Sequence, residues 1–343
     1  MDIVLSICDT FIFDRLYATA LPLQNAVSGN VTLPIHAQKP IQLDPVSEHF
    51  NWQPSEYAYL SRLQRDDDIR QLFSLFMITW LFGYVIYFIF ASFSYVFIFD
   101  KDTFKHPKFL KNQIRQEIAQ TMKSVPVMAV CTAPIFYLEV KGYSMLYMNV
   151  EDYGWWYLVL QFPLFLLFTD FCIYWIHRGL HHPLVYRTLH KPHHKWIMPT
   201  PYASHAFHPM DGFAQGIPYH VFPFILPLHK YAYLVLFTFI NIWTVMIHDG
   251  EYVANSPIIN GAACHTMHHL YFNYNYGQFT TLWDRLGGSY RKPNMELFYK
   301  ETKMATQEWQ KQVKEMEQVL QEVEGDDDES FREYLAADDR KTK

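Results

Sequence analysis

The chain has 343 residues, half of them apolar and 18% aromatic, which is rich for a soluble enzyme, yet its mean hydropathy is only −0.09 because polar ends flank a very apolar middle. The net charge of −6 is local: residues 301–343 hold 13 acidic and 7 basic side chains, and the rest balances at 21 of each. No concentrated basic face remains, which excludes a nucleic-acid binder. Four dispersed cysteines without a CxxC pair exclude a disulfide framework and a thiolate zinc site.

No standard signal peptide is expected at the N-terminus, where Asp2, Asp9, Asp14 and Arg15 interrupt the early apolar run. Residues 20–70 are polar and proline-punctuated, so 1–70 is expected to form a polar, lumenal region; Asn30-Val31-Thr32 fits a glycosylation acceptor there. From Gln71 to Phe99 no charged residue occurs in 29 positions. That exceeds the roughly 20 apolar residues needed to span a bilayer and predicts a transmembrane helix. Asp100–Lys123 then carries six Lys/Arg, the mark of a cytoplasmic loop.

Ser124–Leu138 is uncharged but short, and Pro126 and Pro134 are expected to bend it. Tyr153–Thr169 continues past Asp170 to Ile176, and these two segments predict a hairpin returning to the cytoplasm. Gly212–Leu228 and Tyr231–Ile247 form a second in-and-out pair, whose first arm Pro218, Pro223 and Pro227 make a broken or shallow helix. From about Glu308 an amphipathic helix is expected, with Val313, Met316, Leu320 and Val323 at helical spacing. The acidic run 325–329 breaks it, and 301–343 reads as a solvated cytoplasmic tail whose end, Arg340–Lys343, resembles a dilysine-type retrieval signal. The expected fold is an all-α integral membrane protein with about four transmembrane or re-entrant segments. Its membrane-embedded part, 71–300, carries a histidine-rich cytoplasmic face.

Histidine is the outlier, with 14 of 17 lying between His177 and His269. Three clusters stand out: HRGLHH (His177, His181, His182), HKPHH (His190, His193, His194) and HTMHH (His265, His268, His269). On a helix, positions i and i+4 share a face, so His177 and His181 are expected to serve one metal, with His182 turned inward if Gly179 and Pro183 weaken the helix. In each HxxHH cluster, i and i+3 are expected on one face, leaving the last histidine to reach a neighbouring metal. His208 and His248, at the ends of apolar segments, complete the candidate set; His205 is left open, and His220 and His229 read as packing residues. A lone histidine on an apolar face is usually a satisfied core residue, but three clusters within 93 residues argue for ligation. All-imidazole sites suit zinc, copper, iron or nickel, and eight to eleven candidates are too many for one ion and suit two. Spacing alone leaves a two-zinc site open.

Asp170 lies seven residues before His177 on the same helical face and is a candidate to accept the second N–H of a ligand histidine. Asp284 and Arg285 are candidates to support the site or to pair with each other. The aromatics Trp155, Trp156, Tyr174, Trp175 and Trp243 are assigned to the membrane interface and core.

The three clusters in this order, flanked by membrane segments, resemble the histidine boxes of the fatty acid hydroxylase/sterol desaturase superfamily. The block from His177 to Phe213 and the stretch FNYNYGQFTTLWDRLGGSYR (272–291) are closer still to fungal sterol C-5 desaturases. The resemblance covers roughly residues 70–300. It implies two non-haem iron ions held by the boxed histidines, O2 as oxidant, and a Δ7-sterol substrate desaturated at C5–C6. It also implies electrons from NAD(P)H through cytochrome b5 and its reductase, and residence in the endoplasmic reticulum membrane with the site facing the cytoplasm. No HPGG haem-binding stretch is present, so the donor is expected to be a separate protein. Sterol C-4 methyl oxidation and fatty acyl hydroxylation are the nearest alternative reactions. A histidine-rich metal transporter is the alternative of another class, and it would place ligands near the middle of its spans.

Overall fold

The computed structural model describes residues 1–23, 49, 50, 52–253 and 255–324. The Asn30 triplet, the acidic run and the last four residues lie outside the described residues, as do the side chains of Leu320 and Val323. In chain order come α1 (Asp2–Cys8), a π turn (Asp9–Phe13), α2 (Asp14–Ala20), α3 (Asp68–Phe97) and α4 (Gln113–Val140). After them follow α5 (Gly154–Leu180), α6 (Pro209–Ile225), α7 (Lys230–His248), α8 (Ala262–Tyr271) and α9 (Thr306–Glu324). Four of these, α3, α4, α5 and α7, are long and apolar enough to cross a membrane. This is an all-α, multi-pass membrane architecture, as expected.

Two helices differ from expectation. α4 is not a short bent span: it runs 28 residues through Pro126 and Pro134, beginning in the polar stretch before Ser124. Proline is tolerated in such helices because neighbouring groups re-satisfy the freed carbonyls. α6 is continuous through Pro218 and Pro223 rather than broken. At 17 residues it covers about 26 Å, short of a hydrocarbon core of about 30 Å, so it remains the shallow arm of its pair. Trp155 and Trp156, 71% and 90% exposed at the start of α5, sit where an interfacial aromatic belt places them.

The chain divides into two compact units. The first comprises Met1–Gly83 and Ala129–Leu146. Its centre is ionic: the guanidinium of Arg70, 1% exposed, donates to Asp9 at 2.7 Å and to Asp14 at 2.6 Å, while Arg65 and Ser55 also donate to Asp14. A buried network of this kind is costly to break from one side, since Asp9 loses its guanidinium partner while Asp14 keeps only Arg65 and Ser55. Arg70→Met is therefore expected to lower stability by about 3–5 kcal/mol, read as a lowered melting temperature of the detergent-solubilised protein.

The second unit comprises Tyr84–Met128 and Tyr147–Lys343 and contains every histidine cluster. α5 and α6 pack through aromatic contacts, Phe165 against Phe222 (5.1 Å between centroids) and against Tyr219 (6.2 Å). α9 is amphipathic, as expected, but it is no solvated tail. Its Met316, 1% exposed, joins Met267, Leu270, Tyr271 and Phe272 in one apolar cluster, so α9 covers the outer face of α8. Ion pairs from Glu317 to Lys108 (2.9 Å) and from Glu315 to Arg291 (3.1 Å) flank that contact.

Candidate metal centre

Nine histidines converge into two groups within the second unit. His177, His181, His190, His194 and His268 form one; His193, His248, His265 and His269 form the other. In each group the nearest ring nitrogens all lie within 4.8 Å of one another. His177 and His181 come from the end of α5, as their i, i+4 spacing predicts. His190, His193 and His194 come from the π turn Tyr186–His190 and the one-turn helix Lys191–His194. His248 is the last residue of α7, and His265, His268 and His269 lie on α8. Both spans contribute from their ends and not from their middles.

The partition inside the HxxHH clusters differs from expectation. His190 pairs with His194, and His265 with His269, while the i+3 residues, His193 and His268, each cross to the other group. The cause is angular: i and i+4 lie about 40° apart around a helix of 3.6 residues per turn, i and i+3 about 60° in the opposite sense. One cluster thereby feeds both groups and ties them together.

The protonation pattern is fixed by the outer ring nitrogens. His177 Nδ1 donates to the Tyr276 carbonyl at 2.9 Å, and His190 Nδ1 to Asp211 Oδ2 at 2.8 Å. His268 Nδ1 donates to the Tyr274 carbonyl and His248 Nδ1 to the Thr244 carbonyl, both at 2.7 Å. A neutral imidazole carries hydrogen on one nitrogen only, so the Nε2 atoms of these four rings present bare lone pairs. Yet His177 Nε2 and His190 Nε2 are 3.0 Å apart, and His194 Nε2 is 3.1 Å from the same His190 atom. His265 Nε2 lies 3.0 Å from His248 Nε2 and 3.2 Å from His269 Nε2. The lone pairs of His177 and His190 repel at that distance unless a cation lies between them. Nitrogens each about 2.0–2.1 Å from a shared ion would be about 3.0–3.4 Å apart. The Nε2 atoms of His181 and His268, buried and without a hydrogen-bond partner, fit the same reading.

Burial, reinforced by neighbouring imidazoles, holds His181, His193, His194, His265, His268 and His269 well below the ordinary histidine range, so they are neutral and ready to ligate. Chelation is accordingly expected to lower the melting temperature, because it leaves facing lone pairs in a buried core, and re-addition of a divalent metal to restore it. A melting curve unchanged by a chelator that demonstrably strips the metal would refute this.

Two expected ligands lie outside both groups. His182 is exposed and caps the helical turn Pro183–Val185, its Nδ1 accepting from Leu184 N. His208 caps α6 in the same way, accepting from Met210 N. Each precedes a proline at the first helical position, and that His-Pro pair was the sequence signal for a cap instead of a ligand. His205 also stands apart, hydrogen-bonded to Ser204 and Asn241. His220 pairs with the Tyr233 hydroxyl and His229 with the Met148 carbonyl, as packing residues do.

Asp170 does not hold a histidine. Its carboxylate accepts the backbone N–H groups of Gln278, Phe279 and Thr280 and the Thr280 hydroxyl. Asp284 accepts the N–H groups of Tyr276 and Gly277, and Arg285 reaches the Pro257 carbonyl and Thr281 instead of pairing with it. Together the two acids shape the loop whose Tyr276 carbonyl orients His177. The carboxylate that does hold a histidine is Asp211, fully buried on α6, with Gln215 donating to its other oxygen at 2.7 Å. Its only sequence signal was an unpaired acid at the head of an apolar segment.

Spans that end in two facing all-imidazole groups define the membrane-bound fatty acid hydroxylase class, and the Fatty acid hydroxylase family model matches residues 162–289. The chain is similar over nearly its whole length to Delta(7)-sterol 5(6)-desaturases. It is 63% identical to erg3A of Aspergillus fumigatus, covering 99% of each chain. It is 58% identical to that of Leptosphaeria maculans, covering 97% of this chain and 98% of the relative. For ERG3 of Candida albicans the identity is 46%, over 98% of this chain and all of the relative. The chain belongs to this fungal sterol C-5 desaturase family. No solved structure matches it.

Proposed function

We infer that this chain is a Δ7-sterol 5(6)-desaturase of ergosterol-type biosynthesis, an oxidoreductase that introduces the C5–C6 double bond. The observation that carries the reading is end-to-end similarity to enzymes of that name in a chain that brings nine histidines into two groups. Two non-haem iron ions, one per group, would supply with O2 the oxidising power needed to take hydrogen from unactivated ring carbons.

The chain's own residues do the rest. The carbonyls of Tyr276, Tyr274 and Thr244 and the carboxylate of Asp211 lock four rings with Nε2 facing inward. Burial keeps bulk water from a strongly oxidising centre. Removing two hydrogens from the sterol releases two electrons and two protons; two further electrons and protons complete the reduction of O2 to two waters. We assign the external electrons to NAD(P)H through cytochrome b5 and its reductase. The four lysines between α3 and α4, Lys101, Lys105, Lys108 and Lys111, support a cytoplasmic position for that end of the helices, and with it a site facing the cytoplasm from the endoplasmic reticulum membrane.

The test is a sterol profile. The chain is expressed in a yeast strain lacking its own C-5 desaturase, beside a His193→Ala control. Δ5,7-sterols are expected with the intact chain only. Persistence of Δ7-sterols despite stable expression and an available electron donor would overturn the C-5 assignment.

A further inference from the structure

One polar pair beside the four-histidine group has no part in metal binding. α7 is apolar throughout, and between Tyr231 and Ile247 its single amide is Asn241. His205 donates from Nε2 to Asn241 Oδ1 at 3.1 Å, its Nδ1 facing the Ser204 hydroxyl at 3.0 Å. Asn241 in turn donates from Nδ2 to the Phe237 carbonyl at 2.8 Å. An amide offers two N–H donors and two oxygen lone pairs, so these bonds leave one of each. Both residues are half-buried, and Asn241 lies in a span where an unsatisfied polar group facing lipid would be costly. One remaining donor beside one remaining acceptor is the complement of a hydroxyl group.

The position suits a hydroxyl close to reacting atoms. Asn241, Thr244 and His248 recur on one face of α7. Asn241 lies seven residues before His248, about 10 Å along the helix, and the His248 ring folds back towards it onto the Thr244 carbonyl. On the other side, Phe207, two residues after His205, packs against the His193 ring at 4.6 Å. A 3-hydroxysterol has its oxygen three bonds from C5 and four from C6, on the order of 4–5 Å. With C5 and C6 set against the metal groups, the residue that receives the hydroxyl lies on the order of 10 Å from them, one hydrogen bond beyond the sterol oxygen.

We propose that the His205–Asn241 pair receives the 3-hydroxyl of the sterol and so sets C5 and C6 against the four-histidine group. The proposal rests on the sterol desaturase reading. The experiment compares kcat/KM for a Δ7-sterol, its 3-deoxy analogue and its 3-O-methyl ether, using the full-length, metal-loaded enzyme and its Asn241→Leu and His205→Ala variants. The wild type should favour the hydroxysterol over the deoxy analogue by at least about tenfold, mainly through KM. In the variants that ratio should collapse towards one. A variant that loses rate equally on both substrates, keeping the wild-type ratio, marks a merely structural pair and overturns the proposal. If neither variant folds, the ether decides: a wild type that accepts it as well as the free sterol has no donor–acceptor contact there. A wild type that turns over no Δ7-sterol removes the desaturase reading and this proposal together.

Discussion

Replacing His190 with alanine is expected to cut turnover at least about a thousandfold, since the ring sits at the hub of the five-histidine group. Its Nε2 lies 3.0 Å from that of His177 and 3.1 Å from that of His194, and its other nitrogen is held by Asp211. No neighbouring ring can take its place, because every other member of the group is already committed. Metal content should fall from two ions per chain towards one, the four-histidine group retaining its own. Secondary structure should persist, because the loss removes a ligand from a site framed by α5 and α8. Two ions per chain in the purified variant, with turnover near wild type, would show that His190 is not a ligand.

Asp211→Leu is expected to weaken metal binding at the same group by about 10–100-fold without touching a ligand. The carboxylate and the His190 ring are both 0% exposed, so nothing else is available to accept from Nδ1. Without an acceptor the ring is free to move its hydrogen to Nε2, which withdraws the lone pair from the metal. Asp211→Asn should lose less: its amide oxygen still accepts from His190, although the negative charge is gone and the Gln215 side chain must turn to avoid a donor–donor contact. The readout is a metal titration of the stripped protein, with activity measured after loading at saturating metal. A graded loss, Leu worse than Asn, distinguishes orientation of His190 from bulk packing. Equal affinities in all three proteins would remove Asp211 from the site.

Eight of the nine converging histidines, all but His248, stand in the clusters visible in the sequence, because i, i+4 spacing on a helix is a local property and survives folding. The first span was equally plain, since a run of 29 uncharged residues has one stable solution in a bilayer. The spacing of His182 and His208 permits ligation. Only the helix starts at Pro183 and Pro209 show that their rings serve the backbone. The exchange of roles between Asp170 and Asp211 has the same origin. Asp170 shares a helix with His177, but its partners are 108–110 residues away in the chain. Asp211 lies 21 residues from His190 and meets it only when α6 packs beside α5.

α9 makes the same point about surfaces, since its apolar stripe was legible but not the α8 face that covers it. By itself the sequence determined which chemistry the chain is equipped for, histidine clusters at the ends of apolar spans, because residue type and local period fix them. The tertiary structure decided which ring serves which group, which carboxylate holds a histidine, and which polar pair stands beside the centre. Those depend on lone pairs brought within about 3 Å by distant segments, a distance that no spacing along the chain encodes.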